Sequence, residues 1–486
     1  MTLVPKKDQE DEDELSSCTS DEDEMIDEPQ GRDEDEEEDE DEEEEEGEGD
    51  TVMENDGGDE EEDGAAPKEK EVFVPGRSTL AEDEELVMDK SAYELYHHAT
   101  TADPCLSFSV LKDHLGDNRS DVYPLTTYLV AGTQAARHGQ NNLLCIKMWN
   151  LHRTSSKTEA GDSEDEEDDD IDDDDTGVSK KPRLNVVHVP HSGEVNRVRV
   201  QDLNDRRICA SWSDNGSVYL TDLTDALKAS EKQELISQFV RNKAAPKPFF
   251  KFSGHPTEGF GMDWSPVAPG LLATGDCAKN IHVWRPSEGG RWKVDDRPLV
   301  GHTKSVEDIQ WSPNEGTVLT SCSVDRTIRV FDIRANPSKA CMLTVENAHS
   351  SDVNVISWNR TDQAFLLSGG DDGAIKIWDF RQFKSGKPVT TFKFHGAPIT
   401  SVEWHPSDSS VFTASSEDDC VTLWDLGVER DNIEAEEGTL RDLPPQLLFI
   451  HQGQKEVKEC HWHPQMPGVL VSTAYSGFNV FRTISV

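Results

Sequence analysis

Four segments in the C-terminal half of the chain end alike, and their spacing constrains the fold more than any other feature. NIHVWR ends at Arg285, TIRVFD at Asp332, AIKIWD at Asp379 and CVTLWD at Asp425, placing Trp284, Phe331, Trp378 and Trp424 at intervals of 47, 47 and 46 residues. A histidine turn keeps the same rhythm upstream: His302 in VGHTKS, His349 in NAHSSD and His395 in KFHGAP, with His255 in SGHPTE opening the unit before them. After each turn comes an apolar strand that ends in tryptophan and often a proline, as in GMDWSP, DIQWSP, VEWHP and ECHWHP. A second apolar strand, a turn and the aromatic-ended strand complete the unit. Such a unit is too small to bury both its faces alone, so the repeats must stack on one another.

Weaker copies extend the count: His191 to Asp222, His451 to Arg482, and a rudimentary one from Tyr128 to Leu151. The period, slightly above 45 residues, is that of WD repeats. The expected fold is therefore all-β, a seven-bladed WD-repeat β-propeller with an N-terminal helix and disordered acidic segments. The expected division is a tail over 1–70, a linker, helix and latch strand over 71–118, and the propeller over 119–486 with an acidic insertion at 154–183. CLSFSVL, from Cys105 to Leu111, is the expected strand that completes the last blade and latches the ring, which removes exposed sheet edges.

The formal charge of −52 is concentrated in two places. Met1 to Asp63 holds 35 acidic and three basic residues, with fourteen uninterrupted carboxylates from Asp33 to Glu46, and Glu159 to Asp175 holds 13 acids and no base. These runs lack the apolar residues whose burial offsets ordering entropy, so they are expected to be disordered. Like-charge blocks of this kind are solubilising bristles or interaction tails that compete with nucleic acid for a cationic partner. With 47 Lys and Arg against 99 acids, nucleic acid is disfavoured as a direct specific ligand and the expected partners are basic. Nine scattered cysteines without a CxxC pair, and an N-terminus without basic and apolar signal regions, disfavour a disulfide framework and secretion. No apolar run reaches a bilayer's thickness, so no membrane partner is expected, and the expected state is a monomer.

The recurring His, Ser/Thr and Asp suggest a hydrolase triad until their period is considered. In one unit Asp372, His349 and Ser368 lie in reach of Trp378, the expected pattern of a buried set in which carboxylate, imidazole, hydroxyl and indole satisfy one another. His395, Asp418 and Trp424 repeat it, while His302 and Asp325 stand beside Phe331 and lack the indole. Asn215, Ala278 and Tyr475 replace the turn aspartate elsewhere. Cys460, His461 and His463 alternate along a strand and so point to opposite faces, which weighs against a metal site. No phosphate-binding glycine motif is present; SGGDDG from Ser368 is a strand-to-turn junction. The expectation is a protein without cofactor, metal or catalytic residues. One face remains of interest, where the histidine and aspartate turns surround the channel mouth. Asn196, Glu307, Asn354 and Thr400 stand five residues after a turn histidine, and Asp214, Asp371 and Glu417 precede the turn aspartate or its substitute. Several are acids that can accept from Lys or Arg.

Beyond the repeats, FVPG at Phe73, LVMDKSAYELYHHATTADPCLSF from Leu86, HLGDNR from His114, RPLVGHTKSVEDIQWSP, SGGDDGAIKIWDFRQFKSG and the final FRTISV resemble the glutamate-rich WD-repeat proteins. These fall within the histone-binding WD-repeat family of the chromatin-assembly and retinoblastoma-binding subunits. The resemblance covers roughly residues 72–486. It implies an N-terminal helix, here about Asp89 to Thr100 with Tyr93 and Tyr96, facing a loop with paired prolines, here DLPPQLLFIH from Asp442. The implied groove for a basic helix is contributed by Tyr93, Tyr96, Asp442, Leu443, Pro444 and Pro445, with Glu434, Glu436 and Glu437 beside them.

The resemblance also implies core histones and the large-subunit ribosomal protein numbered three as clients, with roles in chromatin and replication licensing, and a nuclear and nucleolar location. KKPR from Lys180 is a weak import signal, and Ser20 and Ser163, each followed by acids, are phosphorylation candidates. The leading expectation is a non-enzymatic chaperone acting in ribosome biogenesis and chromatin regulation. The alternative is a substrate receptor or scaffold for a cullin-ring ubiquitin ligase, since WDFR at Trp378 and FDIR at Phe331 fit the aromatic-Asp-x-Arg pattern of such receptors.

Overall fold

The computed structural model describes residues 2–5, 73–78, 84–135, 140–154, 180–429 and 443–486. Two compact units are present: one takes in Val87–Val486 and Val74–Thr79, the other Thr2–Phe73 and Leu80–Leu86. The strands Thr2–Pro5 and Glu84–Val87 pair as a two-stranded sheet. The larger unit consists of seven four-stranded antiparallel sheets, the blades of a propeller.

Blade 1 runs Cys105–Leu111, Leu125–Thr133, Asn142–Leu151 and Arg183–Pro190 from the axis outwards. Blades 2 to 6 start at Val195, Gly261, Val306, Val353 and Ile399. Blade 7 takes three strands from the C-terminus, Glu459–Trp462, Leu470–Ala474 and Gly477–Thr483, and its outermost strand from Tyr93–Ala99. The two ends of the sequence thus share one sheet.

This arrangement corrects two expectations. No helix spans residues 89–100; a short 3-10 turn, Lys90–Ala92, leads into the strand that pairs with Gly477–Thr483. The i, i+3 spacing of Tyr93 and Tyr96 suggests one helical face, but a bulge at Glu94 produces it here. Tyr93 lies opposite Thr483 and Leu95 opposite Arg482, so the extra residue turns Tyr93 and Tyr96 to one side and Leu95 to the other. A pairing edge on Gly477–Thr483 outweighs any local helical preference of SAYELYHHA. Second, Cys105–Leu111 does not latch the last blade. It is the innermost strand of blade 1, and Tyr93–Ala99 closes the ring.

The core is distributed rather than central. Seven apolar clusters each draw on two adjacent blades, such as Leu367, Ile375 and Ile377 of blade 5 against Ile399, Trp404 and Phe412 of blade 6. The contact is tight enough that a Cβ on Gly369 would overlap Ile399, and one on Gly132 would overlap Val195. Glycine is required there for close approach.

Within blades, polar side chains form buried relays. In blade 5, Trp378 Nε1 donates to Ser368 Oγ at 2.8 Å, Ser368 lies 2.7 Å from His349 Nε2, and His349 Nδ1 lies 2.8 Å from Asp372. Because the hydroxyl oxygen accepts from the indole, its proton is free for Nε2, which leaves Nδ1–H to donate to the carboxylate. Blade 6 uses Thr422 in place of the serine, 2.9 Å from His395, with Asp418 at 2.8 Å and Trp424 at 2.8 Å. Blade 4 keeps His302, Ser321 and Asp325, and Phe331 supplies only packing. In blade 3 the repeat alignment puts Ala278 at the acidic position, but Asp276, two residues earlier, reaches His255 Nδ1 at 2.7 Å and Thr274 completes the set. Burial pushes these histidines down and keeps them neutral. Burial alone would raise the aspartates Asp325 and Asp372, but the hydrogen bonds from histidine and backbone hold both well below the usual carboxylate range.

Candidate functional site

The innermost strands present one unpaired edge to the channel, and each edge N–H needs an acceptor. Side chains of the preceding blade supply them. Trp311 N donates to Asp263, Ile356 N to Asp308, Trp358 N to Gln310, Trp404 N to Ser357 and Trp462 N to Glu403, at 2.8 to 3.2 Å. Phe108 N donates to Glu459 and Val198 N to Ser107, which carries the pattern from blade 7 through blade 1 to blade 2. The indole of Trp264 closes the remaining step by donating to Arg199 O at 3.0 Å. All seven interfaces are thereby bridged at the axis. The signal for this belt is visible in the sequence, though the repeat spacing alone does not point to it: the residue before the strand-ending tryptophan is an acceptor in MDW, IQW, ISW and VEW.

Two cavities occupy the channel. The larger, about 530 Å³, is lined by the tryptophans Trp264, Trp358, Trp404 and Trp462 with Asp263, Asp308 and Arg360. The smaller, about 430 Å³, lies at a mouth formed by Asn196, Glu307, Asn354, Asp371, Thr400 and Glu417. Six of the seven rim residues chosen from the sequence therefore line one cavity. Asp214 is elsewhere, its carboxylate accepting from Glu194 N at 2.9 Å.

The mouth is prepared for positive charge. Asn354 donates to Asp371 at 2.7 Å, and Asn196 donates to Glu258 at 2.9 Å. Burial raises Glu307, and the neighbouring carboxylates Asp352 and Asp371 add to the effect against the pull of Ser305 and Arg197. Such a carboxyl gains most from an added cation.

Arg197 and Glu459 line both cavities. Glu459 pairs with Arg197 and, at 3.0 Å, with Arg199; its other oxygen faces His461 Nε2 at 3.4 Å, and His461 Nδ1 lies 2.9 Å from Glu403. Burial would lower His461, but the two glutamates overcome it and raise the imidazole to about 9. The same cations hold Glu459 well below the carboxylate range despite its burial. His461 is thus a charged strut between blades. Cys460 lies in a different apolar cluster, His463 Nδ1 accepts from Gln465 N, and among the described residues no group of His, Cys, Asp or Glu has the geometry of a metal site.

Comparison with known proteins places this architecture. The family profile for histone-binding protein RBBP4, or the matching subunit of the CAF1 complex, covers residues 83–152. A profile for eukaryotic translation initiation factor eIF2A matches residues 293–427, which lie in the repeats. The chain is 44% identical to Glutamate-rich WD repeat-containing protein 1 of Dictyostelium discoideum over 87% of its length and 86% of that protein. It is 44% identical to Protein HEAT STRESS TOLERANT DWD 1 of Arabidopsis thaliana, covering 85% of this chain and 92% of that one. The chain belongs to the glutamate-rich WD-repeat family. Ribosome assembly protein rrb1 of Schizosaccharomyces pombe, 41% identical over 89% of this chain and 88% of its own, is a further relative.

Within this family member, the side groove inferred from resemblance is only partly described. Glu434, Glu436, Glu437 and Asp442 lie outside the described residues, as do Ser20 and Ser163. Leu443, Pro444 and Pro445 are half-buried ahead of Leu447–His451, the outermost strand of blade 6. Tyr93 is buried, its hydroxyl 2.8 Å from His451 Nδ1 and its ring edge-on to Phe449 at 5.3 Å, so it joins blades 6 and 7. Tyr96 is half-buried beside it. On blades 4 and 5, Arg334 grips Asp332 and Arg381 grips Asp379, each through two nitrogens, and both guanidinium groups face solvent.

Proposed function

We propose that this protein is a non-enzymatic chaperone that escorts basic proteins in ribosome assembly and chromatin regulation. The observation that carries the reading is the acidic mouth, where Glu307, Asp371 and Glu417 converge on one cavity and Glu307 is held in unfavourable company. A lysine or arginine side chain entering it relieves the repulsion among these carboxylates. The 35 acids of the first 63 residues and the 13 acids from Glu159 to Asp175 supply long-range attraction that screens the client's charge until nucleic acid takes it. A relative named for ribosome assembly and a match to a histone-binding family support this class of client. Core histones and the large-subunit ribosomal protein numbered three are the clients proposed, replication-licensing factors further partners, and the nucleus and nucleolus the proposed site of action.

The test is binding of purified core histones and of that ribosomal protein to the full chain and to Glu307→Lys/Asp371→Lys/Glu417→Lys. Affinity is expected to fall at least tenfold with an unchanged melting temperature. Equal affinity for both clients would remove the mouth from the mechanism.

A second reading rests on the solvent-facing Arg334 and Arg381, repeated on adjacent blades. These suit a docking edge for a cullin-ring ligase, with the propeller as substrate receptor. Affinity capture with the wild type and with Arg334→Ala/Arg381→Ala, followed by mass spectrometry, separates the two: ligase subunits lost from the variant favour the receptor.

A further inference from the structure

Blade 2 connects its third and fourth strands through two helices, α1 (Thr224–Ala229) and α2 (Gln233–Arg241), before the outermost strand Phe250–Phe252. One face of this excursion is fixed to blade 1. Asn185 Nδ2 donates to Ser230 O at 2.7 Å, Lys147 pairs with Glu231 at 2.6 Å, and Ala226, Leu227 and Phe239 enter the cluster between blades 1 and 2.

The outward face differs from the rest of the molecule. Lys232, Arg241, Lys243, Lys247 and Lys251 are all exposed, and Glu234 is the one acid between Lys232 and Lys251. Among the described residues none of these five cations has an ion-pair partner. In a chain with 99 acids and 47 bases, a run of uncompensated cations is not explained by average composition. An aromatic ring accompanies it. Phe249 is 38% exposed, held on Trp292 at 5.8 Å and under the Arg206 guanidinium at 5.4 Å. Val240, 68% exposed at the end of α2, adds apolar surface.

We propose that this face of blade 2 docks single-stranded RNA, its phosphates on the Arg241–Lys251 cations and a base against Phe249. Exposed cations alone fit any polyanion, including an acidic protein segment. The open ring among them decides for RNA, because a nucleotide strand uses charge and π-surface together and a carboxylate chain uses only charge. Contact is to backbone and base face, so it carries little sequence preference. The site lies on the circumference of the propeller, away from the axial mouth, and the inference stands whether or not basic clients enter that mouth.

The experiment is fluorescence anisotropy of a labelled oligouridylate of about 20 nucleotides with the full-length protein, titrated from about 50 to 300 mM salt. Four to five phosphate contacts predict a log–log slope near −3, since each contributes about −0.7 on single strands. Arg241→Gln/Lys243→Gln/Lys247→Gln removes three contacts, which should reduce the slope by about 2 and the affinity at about 0.1 M salt by roughly a hundredfold. Phe249→Leu, which preserves packing on Trp292, should weaken binding severalfold and leave the slope unchanged. The exposed polar substitutions should leave the melting temperature unaltered, and Lys243→Gln/Lys247→Gln serves as a milder second variant with an intermediate slope. The proposal is overturned if the oligonucleotide does not bind at low salt, or if the triple variant binds as the wild type does. It is also overturned if a polyglutamate peptide competes as well as RNA while Phe249→Leu has no effect, which would assign the face to an acidic protein.

Discussion

Single residues hold this molecule through hydrogen bonds that cannot be exchanged with water once buried. Ser368→Ala would leave both the Trp378 indole and His349 Nε2 without a partner, and an unsatisfied buried group costs about 1–3 kcal/mol. A lowered melting temperature in calorimetry is the expected outcome, with Ser368→Thr retaining more stability than alanine, as Thr422 serves in blade 6. Gly369→Ala should destabilise by about 1–3 kcal/mol through overpacking against Ile399, partly restored by Ile399→Val. The histidines give stability a pH dependence whose sign follows from their shifts. Folded His255, His302 and His349 sit below the ordinary value of 6.5, and His451 and His463 fall to about 3. The unfolded chain therefore binds more protons in acid, and stability is expected to decline from pH 6.5 towards 3. His461, raised to about 9, works in the opposite direction: its contribution is complete below 6.5 and is lost as pH rises to about 9. Melting temperatures of wild type and His461→Gln across pH 6 to 9 check this, the variant showing the flatter curve. Legibility at this scale was uneven. The His, Ser and Asp positions of blade 5 were readable because period and residue type agree, whereas Asp276 was not, since its carboxylate reaches His255 from two residues before the aligned position.

Strands were more legible than their assignment to blades. The repeat reveals the three inner strands of each unit by apolar alternation and terminal tryptophan, but the outermost strands, such as Phe250–Phe252 and Thr390–Lys393, are short and carry little pattern. The strand Tyr93–Ala99 was misjudged for a different reason. Its tyrosine spacing comes from a bulge, which mimics a helical period over so short a stretch, and its partner lies at the far end of the sequence. A test of its role compares deletion of residues 1–70 with deletion of residues 1–99. The shorter deletion keeps every propeller strand and should melt as the intact protein does. The longer one uncovers the edge of Gly477–Thr483 and should give a less stable, aggregation-prone product, as sedimentation and melting curves would record.

For the molecule as a whole, charge is segregated: compact blades, an acidic axial mouth, two polyanionic segments in sequence and one cationic face on blade 2. Attraction of a basic client to such a chain acts mainly on the association rate. Deleting residues 1–70 should therefore slow association severalfold at low ionic strength, with the difference vanishing above about 0.5 M salt, where screening is nearly complete. Stopped-flow measurement at two salt concentrations checks this, and equal rates at low salt would exclude the tail from client capture. The polyanionic segments and the rim acids were legible in the sequence because charge runs and repeat positions need no tertiary information. The belt of side-chain acceptors and the cationic face were not, because each appears only when neighbouring blades are assembled.

Since the outermost strand of blade 7 is Tyr93–Ala99, the first propeller strand to leave a translating ribosome is the one whose partner, Gly477–Thr483, is synthesised last. The two must meet across almost 400 residues of chain, a separation that slows folding. Blades 1 to 6 can stack as they emerge, yet the wheel stays open until translation is nearly finished. A protein assigned to guarding other newly made chains thus passes most of its own synthesis with an unsealed seam.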